Sequence, residues 1–157
     1  MRIKLIVIGK TQTGLLSEAV AIYEKRLKHY VNFEITVVPD IKNQAKLSES
    51  QIREKEGAAI ISALKPGDDV VLLDSRGKMF TSTEFSDYLS KKTNASIQNL
   101  VFVTGGAYGL SDEVKNKAPV SLSLSPMTFT RQMVRLIFVE QLYRAFTILK
   151  GESYHHE

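Results

Sequence analysis

The sequence contains no cysteine, and that one absence removes disulfide bridges, thiolate metal sites and a cysteine nucleophile together. A chain without thiols suits a reducing compartment, so the expected location is the cytoplasm. Histidine is scarce as well. His29, His155 and His156 are the three present, no H-E-x-x-H pair exists, and neither a structural nor a hydrolytic zinc is expected. A G-x-S-x-G elbow is missing, which argues against a serine hydrolase. No run approaches the roughly 18 consecutive apolar residues of a membrane helix, and nothing is of low complexity or repeats at a fixed period. The apolar stretch from Met1 to Gly9 is too short to span a membrane and lacks the small-residue cleavage site of a signal peptide, so it reads as a first strand.

At 157 residues the chain matches one ordinary domain, 1–157, which buries roughly 70% of its unfolded surface and needs no staple. Its 21 basic and 17 acidic side chains leave a net charge of +4, a small bias toward a polyanionic partner. The distribution says more than the total. Residues 1–30 carry six basic groups, Arg2, Lys4, Lys10, Lys25, Arg26 and Lys28, against Glu18 and Glu24, whereas residues 31–157 carry fifteen of each sign. The excess sits at the N-terminus, where Lys25, Arg26, Lys28 and His29 read either as a phosphate-facing patch or as a solvated helix face.

Short runs rich in Val and Ile alternate with helical patterns. Ile3 to Ile8, Phe33 to Val38, Val70 to Leu73, Leu100 to Val103 and Val120 to Leu124 predict strands covered on both faces, and the segments between them are long enough for crossover helices. The expected class is α/β, a mostly parallel sheet with helices on both faces. Helices are predicted from Leu15 to His29, from Ser48 to Leu64 before the stop Lys65-Pro66-Gly67, from about Ser82 behind the capping-box pair Thr81 and Glu84, from Ser111, and from Thr130 to Lys150. Pro39 to Leu47 reads as a polar loop. The last helix shows almost no polar face, so it is expected either to be fully internal or to form the interface of a homodimer.

In an open α/β sheet, ligands bind beyond the carboxyl ends of the strands. Three loops qualify: Leu73-Asp74-Ser75-Arg76-Gly77-Lys78, Gly105-Gly106-Ala107-Tyr108-Gly109 and Ser125-Pro126-Met127-Thr128-Phe129. The glycines permit close backbone approach to a ligand just before a helix. Their spacing is neither G-x-G-x-x-G nor G-x-x-x-x-G-K-[ST], so neither the dinucleotide fingerprint nor a phosphate loop is satisfied.

Four ordered runs carry a resemblance: Phe102 to Leu110, Leu122 to Phe129, Glu140 to Ala145, and Gly151-Glu152-Ser153-Tyr154-His155. With Tyr23 to Leu27, Glu54 to Gly57 and Leu73-Asp74-x-x-Gly77-Lys78 they cover essentially the whole length. The sequence resembles the ribosomal large-subunit pseudouridine-N3-methyltransferase family of the SPOUT superfamily. The resemblance implies a deep trefoil knot in the C-terminal half, a homodimer, S-adenosyl-L-methionine as cofactor, and 23S rRNA within the assembled ribosome as substrate, with methylation at N3 of a pseudouridine. Carried over by position, Leu73, Gly105, Gly106, Leu124, Ser125, Pro126, Met127, Thr128 and Phe129 form the cofactor pocket.

The sulfonium already activates the methyl group, so the protein must chiefly align the base nitrogen and manage its proton; no metal is required. His155 is the first candidate for proton acceptor or for donor to the charge developing on the uracil carbonyls, with Tyr154 and Arg144 as further donors. Structural alternatives stand beside these roles: Arg144 closing an i,i+4 ion pair with Glu140, and Tyr154 and His155 docking the tail. Where family members commonly carry Pro-His after the cofactor loop, this sequence has Thr130-Arg131. Arg131 is assigned to a phosphate or a uracil carbonyl, Thr130 to a helix cap, and Lys25 and Arg26 to the RNA. Two other functions stay open at this point, a SPOUT methyltransferase acting on tRNA or another rRNA site, and a non-catalytic α/β nucleotide-binding module.

Overall fold

Five apolar runs become five parallel strands of a single sheet in the computed structural model, which describes residues 1–156. They are β1 (Arg2–Ile8), β2 (Asn32–Val38), β3 (Asp69–Met79), β4 (Asn99–Thr104) and β5 (Val120–Ser123), ordered β2-β1-β4-β3-β5. In β1, Leu5, Ile6, Val7 and Ile8 are all buried. Both faces of the strand are therefore covered, which is why apolar residues run consecutively rather than alternate.

Five α-helices supply that cover: α1 (Leu15–Leu27), α2 (Glu49–Ala63), α3 (Ser82–Asn94), α4 (Asp112–Lys117) and α5 (Arg131–Leu149). α1, α3 and α5 pack on one face, where Val20, Leu27, Phe85, Leu89, Phe138, Leu142 and Phe146 close over Ile3, Leu5, Val7 and Phe102. α2 and α4 cover the other face, with Ile60 and Val114 against Ile6, Ile8, Leu72 and Val103. The caps follow the sequence signals. Thr81 Oγ1 accepts from the Glu84 N–H at 3.1 Å while Glu84 accepts from the Thr81 N–H at 2.7 Å. Ser48 and Gln51 build a second box of this kind, and Ser111 and Thr130 cap α4 and α5.

Three features depart from the sequence expectation. First, β3 does not end at Leu73. Leu122 is in register with both Leu73 and Lys78, so Asp74 to Gly77 loop out and the strand then resumes. A Cβ on Gly77 would stand 2.6 Å from the Ser121 carbonyl carbon, and only glycine lets the loop lie this close to β5. Second, the polar loop after β2 contains a 3-10 turn at Gln44–Lys46. Third, α5 is not apolar all round. Arg135 is fully buried, donating from Nη2 to the Ile8 carbonyl at 2.5 Å and from Nη1 to Thr11 Oγ1 at 3.0 Å. Gln132 accepts from the Gln12 N–H and donates to the Lys10 carbonyl. These two polar side chains pin the loop after β1 to the start of α5. No helix is long and apolar enough to cross a membrane among the described residues.

A cleft at three strand ends and a tail cluster

The loops after β3, β4 and β5 converge on one cavity of about 440 Å³. The β4 loop is a tight turn: Gly109 donates to the Gly106 carbonyl at 3.2 Å and has φ +81°, a conformation that favours glycine. A Cβ on Gly105 would meet the Gly109 carbonyl carbon at 2.8 Å, so the turn closes only because both are glycine. After β5, Ser123 Oγ donates to the Ser125 carbonyl at 2.9 Å and the Met127 N–H donates to Ser125 Oγ at 3.0 Å, fixing the loop that turns toward α5.

Of the residues the sequence assigned to a cofactor, Leu73, Gly105, Gly106, Leu124, Ser125, Met127, Thr128 and Phe129 all line this cavity; Pro126 does not. Met127 is 73% exposed and Phe129 39% exposed. Large apolar side chains presented to a concave wall in this way are suited to being covered by a ligand. Arg131 also lines the cavity and is ion-paired to Asp40 at 2.7 Å. Asp74, in the looped-out part of β3, lines the cavity too, although the sequence assigned it no role beyond its place in the loop. Burial pushes its carboxyl up, but bonds from the Arg76 N–H and guanidinium together outweigh that and hold it below its ordinary value.

A second cavity of about 400 Å³ adjoins the first, sharing Gly106, Ala107, Phe129 and Arg131 with it. Its wall contains Glu56, a residue only 3% exposed whose Oε2 is buried without a hydrogen-bond partner among the described residues. Two glycines bring it there. A Cβ on Gly57 would stand 2.1 Å from Ser111 Oγ and one on Gly106 2.2 Å from Glu56 Oε2, so α2 packs against the start of α4 with the carboxylate directly beneath the β4 loop. Burial raises the Glu56 carboxyl above its ordinary value, with nearby Arg131 opposing.

The residues assigned to catalysis gather elsewhere on the chain. Arg144 donates to Glu140 Oε1 from Nε at 3.0 Å and Nη2 at 2.6 Å, and the Tyr154 hydroxyl donates to the same oxygen at 3.1 Å. The Arg144 guanidinium lies 4.8 Å from the Tyr154 ring centre, and its Nη1 stands 3.4 Å from His155 Nδ1. A guanidinium only donates, so in this contact Nδ1 is the acceptor and Nε2 is the ring nitrogen left to carry a proton. Burial, the Tyr23 hydroxyl at 3.3 Å and Glu140 all push the Tyr154 hydroxyl up, so it stays a protonated donor at neutral pH.

Both structural alternatives for these side chains therefore hold: Arg144 does close the ion pair with Glu140, and Tyr154 does dock the tail. The same contacts hold three polar groups in one cluster. Arg26 extends it, stacking 5.4 Å from the Tyr23 ring centre and 5.5 Å from that of Tyr143, while Lys25 is exposed on the same helix. None of Arg144, Tyr154 and His155 lines the cavity at the strand ends. Arg144 lies thirteen positions along α5 from Arg131, about 20 Å at 1.5 Å per residue.

Known proteins share this architecture and sequence. The family profile described as "Predicted SPOUT methyltransferase" matches residues 1–155. The protein "Ribosomal RNA large subunit methyltransferase H" of Parabacteroides distasonis is 57% identical over 157 residues, and the one of Flavobacterium psychrophilum 54% over 157 residues, each alignment covering 100% of both chains. The crystal structure of a probable methyltransferase from Bordetella pertussis Tohama I superposes with a TM-score of 0.58 at 12% identity, over 92% of this chain and 96% of that one, a likeness of fold. With a full-length profile match and relatives this similar along their whole length, the chain belongs to the SPOUT methyltransferase family.

Proposed function

We propose that this protein transfers a methyl group from S-adenosyl-L-methionine to N3 of a pseudouridine in 23S rRNA, on the assembled ribosome, in the cytoplasm. The observation that carries the reading is the cavity itself, built by the three loops that the family resemblance assigned to the cofactor. Its size lies within the range of small-molecule sites, roughly 300–1,000 Å³. Leu73, Leu124, Met127 and Phe129 offer apolar walls for an adenine, and the glycine turn offers backbone groups without side chains in the way. When bound, the cofactor supplies a methyl group already activated by its sulfonium.

The chain's own residues then align the acceptor and stabilise charge. As the N3–H proton passes to solvent water, negative charge spreads onto the flanking carbonyls, and groups that donate to them lower the barrier. His155 has Nε2–H to offer, Tyr154 its hydroxyl and Arg144 its guanidinium. Of the two roles open to His155, the contact between Nδ1 and Arg144 favours donor over proton acceptor. Arg131 faces the ligand where the two cavities meet. Lys25 and Arg26 hold RNA phosphates beside the tail cluster.

These donors reach the cofactor through a homodimer. On α5, half-buried Met133, Ile137, Glu140, Arg144 and Ile148 form one stripe at helical spacing. Pairing two copies of α5 antiparallel about a twofold axis sets the C-terminal half of one helix against the N-terminal half of the other. The Arg144–Tyr154–His155 cluster of one protomer then faces the cleft of its partner, and the roughly 20 Å within a chain is bridged between chains. The test is methyl transfer from tritiated cofactor to assembled ribosomes, free rRNA and tRNA in parallel. Labelling of the ribosome alone is expected; equal labelling of naked rRNA would remove the assembled-ribosome claim, and labelling of tRNA alone the rRNA claim.

A further inference from the structure

Glu56 takes no part in the chemistry described so far. Its carboxylate is nevertheless a costly group to bury beside the cleft: 3% exposed, with Oε2 buried and lacking a hydrogen-bond partner among the described residues. A fold that uses two glycines, Gly57 and Gly106, to seat a carboxylate oxygen without a partner among the described residues has left that partner to a ligand.

The surroundings specify which kind. The second cavity shares Gly106, Ala107, Phe129 and Arg131 with the cleft, so a ligand filling the cleft at its apolar end reaches Glu56 by extending past Gly106. The same cavity holds an acid and a base, Glu56 and Arg131. Arg131 gives one N–H to Asp40 at 2.7 Å, and a guanidinium carries five such donors, so it retains the capacity to donate again. An acid beside a base is the complement of an α-amino acid zwitterion, and S-adenosyl-L-methionine is an adenosine joined to one. A pyrimidine base presents neutral N–H groups and no cation to offset a buried carboxylate.

We propose that Glu56 accepts from the α-ammonium group at the methionine end of the cofactor, and that Arg131 faces the adjoining carboxylate. The inference rests on reading the cleft as the cofactor site and gives Arg131 to the cofactor rather than to RNA. A charge-assisted bond of this kind discriminates ligands that carry the amino acid from those that lack it.

Calorimetric titration of the full-length protein and its Glu56→Gln variant with three probes tests it. S-adenosylmethionine has sulfonium and zwitterion, S-adenosylhomocysteine the zwitterion alone, and 5′-methylthioadenosine neither. Glu56→Gln is expected to weaken the first two by roughly 10-fold or more and to leave methylthioadenosine within about twofold, which also shows that the variant is folded. A loss confined to S-adenosylmethionine would assign Glu56 to the sulfonium and overturn the proposal. An equal loss for all three, or none for any, would overturn it as well. Failure of the unaltered protein to bind any probe would instead remove the cofactor reading on which it rests.

Discussion

The Tyr154 hydroxyl lies 3.1 Å from Glu140 Oε1, the same oxygen that holds the Arg144 guanidinium at 2.6 Å. One carboxylate thus sets the position of a helix residue and of a tail residue fourteen positions further on. Misplacement of reacting groups by about 1 Å costs on the order of 100-fold in rate. Glu140→Gln removes the charge that pairs with Arg144 while keeping the shape and one acceptor oxygen. It is expected to lower methyl transfer by about 100-fold with cofactor affinity unchanged, measured by single-turnover kinetics beside calorimetry.

His155→Ala removes a donor from the reacting base. Methyl transfer should fall by at least about 100-fold, within the usual range for a group that assists proton movement, with cofactor binding retained. Because the donors and the cleft belong to different protomers in the dimer proposed above, mixing this variant with one defective at Gly105 should restore activity through heterodimers. Mixtures as inactive as their components would place both halves of the site in one chain.

The dimer itself is tested at Ile137, in the middle of the half-buried stripe on α5. Ile137→Glu sets two like charges across a twofold axis and should shift the protein to monomers in sedimentation velocity, with loss of methyl transfer. A persisting dimer would move the interface to another face.

Arg26 stacks on Tyr23 and Tyr143 beside the tail cluster, with Lys25 next to it. Replacing both by Ala should raise KM for the ribosomal substrate and reduce the dependence of binding on salt by a slope of about 2, one unit for each phosphate no longer neutralised, without altering cofactor affinity.

Glu56 also makes the stability of the ligand-free protein depend on pH. Burial raises its folded-state pKa above the ordinary 4.5, so between those two values the folded protein holds a proton that the unfolded chain has released. The stabilisation is fully present below 4.5 and is lost as pH rises through the folded value. Glu56→Gln, which cannot ionise, should therefore be more stable than the unaltered protein at neutral pH, with the gap closing in acid, measured by urea denaturation across pH. A gap that does not change with pH would show that the carboxylate is satisfied.

Much of this architecture is legible in the sequence because its signals are local. Consecutive Val and Ile mark strands covered on both faces, and Thr81 with Glu84, Ser111 and Thr130 mark helix starts. The three strand-end loops were legible for the same reason: each follows an apolar run and contains glycine, proline or serine. What stayed hidden depends on contacts between distant segments. Arg135 looks like an interruption in an apolar helix until the Ile8 carbonyl is found against it. Glu140 reads as an ion-pair partner four residues before Arg144, and only the folded tail shows that it also holds Tyr154. Glu56 sits in an ordinary charged run, and its burial depends on Gly106, fifty residues away. The resumption of β3 after Leu73 follows from pairing with β5, which no pattern within residues 74–77 encodes.

The central claim is one methyl group on one base. Mass spectrometry of 23S rRNA from cells with and without this protein measures it directly. A methylated pseudouridine present in the first and found as unmethylated pseudouridine in the second is the expected result; identical modification in both would contradict the account.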